Sequence, residues 1–79
     1  MNLIPLHDII IIEEHQDANN FSVSELSKGT VVRVGAEVPD YIQEGVVVYF
    51  YKGNNRKIDT KYSYIFAEDT LFVEDGDDK

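Results

Sequence analysis

At 79 residues the chain makes one domain, and a chain this short hides only about 60% of the surface its unfolded form exposes. Fifteen acidic against seven basic residues give a net charge of −8, a field that repels phosphate backbones and anionic lipid and argues against general nucleic-acid or membrane binding. There is no cysteine, so neither a disulfide framework nor a thiolate metal site supplements the thin core, and association with other chains is the expected source of extra stability.

In chain order, Ile9 to Ile12 is the first β-branched run, and it is apolar without alternation. A continuous run predicts a strand covered on both faces, one by the core and the other by a neighbour. Residues 13–28 (EEHQDANNFSVSELSK) are polar and too long for a tight hairpin, yet hold Phe21, Val23 and Leu26. Loops of that length are usually functional or disordered. Thr30 to Val34 reads as a strand bounded by Gly29 and Gly35, followed by residues 36–44 (AEVPDYIQE) with turn residues at Pro39 and Asp40. Val46 to Tyr51 is a further strand, and Gly53, Asn54 and Asn55 mark the turn after it. Tyr62 to Phe66 and Thr70 to Val73 complete the set, before an acidic tail at residues 75–79. Short strands punctuated at this spacing predict an all-β fold, a small irregular barrel or sandwich.

Few constellations carry chemistry. His7 with Asp8, and Glu13-Glu14 with His15, lack the spacing of a known metal site, so no metal is expected. Asp75, Asp77 and Asp78 lack the spacing and terminal glutamate of a calcium loop. Ser22, Ser24 and Ser27 have no evident base and orienting acid, and no glycine-rich phosphate loop is present, so catalytic residues are not expected. Tyr49, Tyr51, Tyr62 and Tyr64 lie in sequence among Lys52, Arg56, Lys57 and Lys61, a mixture that single-strand nucleic-acid platforms use. The plainer reading of this group is two neighbouring strands with a basic turn, their tyrosines half-buried.

The opening octapeptide MNLIPLHD resembles the start of bacterial GroES-type co-chaperonins, typically MNIRPLHD, and the likeness continues in order. Residues 27–35 (SKGTVVRVG) resemble the family's RGEVLAVG strand, and residues 44–50 (EGVVVYF) its VGDIVIF strand. Lys57 to Asp59 and Ala67 to Leu71 resemble its closing region. The resemblance implies one co-chaperonin domain over residues 1–79, a GroES-like β-barrel that assembles as a seven-membered ring and closes the folding chamber of a GroEL-type chaperonin. It implies no enzyme activity and no cofactor, ATP being bound by the partner chaperonin. Carried onto this chain, Asn2, Leu3, Ile4, Pro5 and Leu6 would pair with Thr70, Leu71, Phe72, Val73 and Glu74 of the next subunit. Ring closure would remove edge strands that are otherwise an aggregation hazard. Residues 13–28 would be the mobile loop, docking on the chaperonin through Phe21, Ser22, Val23 and Leu26. Residues 36–44 are too short for the family's roof hairpin, so an open dome is expected, with Glu37, Asp40 and Glu44 on its surface.

The loop is also shorter than the family's, and about a dozen residues out and back reach roughly 20 Å. Burying each anchor yields about 1.5–3 kcal/mol, while ordering the loop costs about 1 kcal/mol per residue or more. One loop alone binds weakly; a ring multiplies its loops by effective concentration. The two truncations resemble those of viral versions, which implies a phage source. No apolar run approaches the length of a membrane span, and the first twenty residues lack a signal pattern. The expected location is therefore the cytoplasm of a bacterium or of an infected host cell. The competing reading is a monomeric OB-like or SH3-like barrel that binds single-stranded nucleic acid through the Tyr/Lys patch. A third is a lid relative that keeps the ring but no longer binds chaperonin.

Overall fold

A nine-residue strand, Leu26–Val34, forms the spine of the molecule in a computed structural model that describes residues 2–15 and 25–74. Six strands follow in chain order: β1 (Ile9–Glu14), β2 (Leu26–Val34), β3 (Val47–Tyr51), β4 (Arg56–Lys57), β5 (Tyr62–Phe66) and β6 (Phe72–Glu74). They make one antiparallel sheet in the order β4-β5-β1-β2-β3-β6. The single helical element described is a 3-10 turn at Ala67–Asp69. The all-β expectation holds, and the fold is a small, barrel-like one.

The curl of the sheet comes from β2. Its first half, Leu26 to Thr30, pairs with β3, whereas Gly29 to Val34 pairs with β1. The β1–β2 register shifts between Ile11 and Ile12, and such a bulge bends and twists the strand that carries it. β-Branched and aromatic residues suit a pleated surface with one buried face. Alternation in β3 and β5 accordingly sends Val48, Phe50, Ser63 and Ile65 inward.

The core is built from Ile10, Ile12, Val31, Val48, Phe50 and Ile65 of the strands, closed by Val38 and Ile42. These last two come from the connection between β2 and β3, which replaces a second layer. That connection is a succession of turns, closed by Val38 N–H to Gly35 O, Ile42 N–H to Pro39 O and Val46 N–H to Gln43 O. It contains no strand between Val34 and Val47. Gly45 takes the positive φ, 93°, that the last of these turns needs.

Several expected boundaries move. β1 runs on to Glu14 and β2 begins at Leu26, so both ends of the expected 13–28 loop are sheet. His15 N–H still reaches Lys28 O at 3.0 Å. The last strand starts at Phe72 rather than Thr70, because Thr70 N–H closes the 3-10 turn on Ala67 O. The continuous run at Ile9 to Ile12 is covered as expected at Ile10, Ile11 and Ile12, but the cover over Ile11 is provided within the chain.

Candidate functional site

Residues 2–6 lie outside the sheet and form an arm at the β5–β1 side of its outer face. Leu6 O accepts the N–H of Ile9 in a tight turn at His7 and Asp8. His7 holds a left-handed φ of 57°, which costs a non-glycine residue about 1–2 kcal/mol. The conformation is over-determined: Glu37 N–H donates to His7 O, Gly35 N–H to Ile9 O and Ala67 N–H to Asp8 O. His7 Nδ1 also lies 3.2 Å from Glu37 Oε2, an exposed pair of small energetic weight. With its base so fixed, the arm presents Leu3, Ile4 (74% exposed) and Leu6 (63% exposed). Together with Ile9, Ile11 and Tyr64 these side chains line an apolar hollow of about 370 Å³.

A second apolar surface lies at the far edge of the sheet. Among the described residues β6 pairs with β3 along one side only, Val48 facing Val73 and Tyr49 facing Phe72. Its other side is an edge. Phe72 is 60% exposed, Leu71 and Val73 less so, and Tyr41 (71% exposed) rises from the β2–β3 connection beside them. The cleft between Tyr41 and β6 also contains Thr70, whose Oγ1 is buried without a hydrogen-bond partner among the described residues. Buried polar groups are nearly always satisfied, so this orphan marks an incomplete surface. Of the expected interface residues, Leu3, Ile4, Pro5 and Leu6 line the first of these surfaces and Thr70, Leu71, Phe72 and Val73 the second, while Asn2 is exposed on the arm.

Of the remaining expected residues, Glu37, Asp40, Glu44 and Leu26 are described. Glu37, Asp40 and Glu44 are exposed on the β2–β3 connection. Phe21, Ser22 and Val23 lie outside the described residues, as does the 75–79 tail. Leu26 is half-buried in β2 opposite Tyr51, so it belongs to the sheet at the root of the 15–25 segment.

That root is tied to the β3–β5 region at both ends. Lys52 N–H donates to Glu25 O at 2.9 Å on one side. On the other, Glu14 accepts from Asn55 Nδ2 at 2.7 Å and from Lys57 Nζ at 3.1 Å. Asn55 also donates to the fully buried Ser63 hydroxyl. The Asp59 carboxylate accepts the N–H groups of Tyr62 and Lys61, which hold its pKa below the usual carboxylate range.

The four tyrosines do share the outer face, by their cross-strand partners Lys28, Leu26, Glu13 and Ile11. Two strands separate Tyr62 and Tyr64 from Tyr49 and Tyr51, roughly 14 Å of sheet. They are engaged locally: Lys61 lies over Tyr62, while Lys28 and Phe72 pack on Tyr49. The sequence mixture is thus not one stacking platform. Among the described residues no cluster of three or more His, Asp or Glu is placed to hold a metal, and no helix is long and apolar enough to cross a membrane.

Tyr41 and the Thr70 hydroxyl are the surface features that sequence reasoning missed. A lone tyrosine in a turn carries no periodic signal, and an orphaned hydroxyl is visible only in three dimensions. No family model matches this chain, and no curated protein matches it as a relative.

Proposed function

We propose that this chain is a co-chaperonin subunit of the GroES type, a ring-forming lid that docks on a chaperonin through the 15–25 segment. The observation that carries the reading is the pair of apolar surfaces on different elements, the arm at residues 2–6 and the β6 edge with Tyr41. Two unlike patches favour a heterologous, head-to-tail contact, and such contacts close into rings when the rotation permits. Covering each exposed Ile4-, Leu6- or Phe72-sized side chain contributes about 1.5–3 kcal/mol, a large sum for so small a core. The family resemblance of the sequence supplies the ring's identity, its seven-fold order and its partner.

In this reading Phe21 and Val23 are the anchors of the 15–25 segment and Leu26 stands at its root, while His15 and Glu25 lie at the end of the sheet opposite the acidic connection. ATP belongs to the partner chaperonin. Native mass measurement tests the ring: a heptamer is expected, and a strict monomer at micromolar concentration overturns it. Co-migration with a GroEL-type chaperonin in ATP tests the docking. Phe21→Asp and Val23→Asp should abolish it while leaving the ring intact; normal binding by both variants would refute the loop assignment.

A further inference from the structure

The charges of this chain are sorted by the sheet into two unlike poles. At the end where β1 and β5 meet the β2–β3 connection, residues 35–46 and 67–74 hold six acids and neither lysine nor arginine. At the opposite end, residues 52–61 hold Lys52, Arg56, Lys57 and Lys61 against Asp59, with Glu13, Glu14 and Glu25 of the adjoining segments set among them. Within a net charge of −8 the bases thus gather at this end as a collar interleaved with glutamates.

The collar sits at the root of the 15–25 segment and is bonded to both sides of it, through Lys52 N–H to Glu25 O and Lys57 Nζ to Glu14. Lys57 and Lys61 remain largely exposed despite their contacts with Glu14 and Glu13. No carboxylate of the described residues pairs with Lys52 or Arg56, both exposed. We infer that this collar is a second docking element, which receives an acidic protein surface on whatever partner the 15–25 segment engages. The inference rests on the lid reading, in which that partner is the chaperonin.

A protein surface with spaced carboxylates fits better than a continuous polyanion. Glu13, Glu14 and Glu25 are interleaved with the bases, so a continuous row of phosphates would meet like charges at close range. A folded surface with spaced carboxylates can meet Lys52 and Arg56 and avoid the glutamates. The sorted charges would also orient the encounter, collar first, which raises association rates more than it lengthens residence.

The test measures association and dissociation rates with a GroEL-type chaperonin in ATP at several salt concentrations. Lys52→Glu combined with Arg56→Glu should slow association by about tenfold or more at low salt and change dissociation by less than about twofold. The difference should fade as salt screens the charges. Glu37→Lys with Glu44→Lys at the other pole should leave association unslowed. If the reversed pair does not fold, Lys52→Gln with Arg56→Gln carries the same test. Wild-type association at every salt concentration in the collar variants would overturn the collar and leave the lid standing. No binding by the wild-type ring would overturn both. Binding of a labelled oligothymidylate by wild type, lost in the collar variants, would overturn the inference in favour of nucleic acid.

Discussion

A Cβ on Gly35 would stand 2.2 Å from the carbonyl oxygen of His7, so the chain crosses itself there with no room for a side chain. Gly45 is the contrasting case: its φ of 93° demands glycine, but the space around it is open. Gly35→Ala should therefore cost about 1–3 kcal/mol through forced displacement of the His7 turn. Gly45→Ala should cost about 1 kcal/mol through backbone conformation alone. Urea denaturation measures both, and equal costs would contradict the crossing. Because the His7 turn sets the arm's exit, Gly35→Ala should also weaken self-association. Asp59 makes a pH-dependent contribution. Its folded pKa lies below the ordinary value, so its stabilisation is present above about pH 4 and disappears as pH falls through the lowered folded value. Asp59→Ala should thus be less stable than wild type at neutral pH, with the gap closing in acid. A gap that persists at low pH would show that the carboxylate is not its source.

The β2–β3 connection is the element whose role differs most from its sequence signature. Residues 36–44 read as a shortened roof, yet Val38 and Ile42 are buried in the core among Phe50, Val48 and Ile65. Ile42→Ala is expected to cost about 2–5 kcal/mol, as a strand residue would, with the loss read from thermal or urea unfolding. A cost below about 1 kcal/mol would mean that the connection does not close the core. The strands themselves were legible in the sequence, because runs such as Val46 to Tyr51 and Tyr62 to Phe66 combine β-branched and aromatic residues with flanking turns. β4 was not, since Arg56–Lys57 is held by pairing with β5 and by the Asn55 and Lys57 bonds to Glu14 rather than by any apolar pattern. The early start of β2 escaped for a similar reason. Leu26, Ser27 and Lys28 look like loop, and only pairing with Tyr51, Phe50 and Tyr49 makes them strand.

At the scale of the whole molecule, the sequence revealed total charge but not its sorting, which depends on which turns the topology gathers at each end. The apolar arm and the β6 residues were legible as separate segments; their placement on the β5–β1 face and on the β6 edge was not. On the proposed ring, Ile4→Asp and Phe72→Asp should each leave monomers in sedimentation with the unfolding of dilute monomer nearly unchanged, since both side chains are exposed in the single chain. Unaltered assembly in either variant would remove that surface from the contact. The wild-type melting temperature should rise with protein concentration. Two unlike surfaces also give the molecule a direction, with a donor side and an acceptor side. An Ile4→Asp chain keeps a working acceptor and a Phe72→Asp chain a working donor. Mixed in equal amounts, the two disabled proteins should join as pairs and go no further, each acting as a terminator for the other.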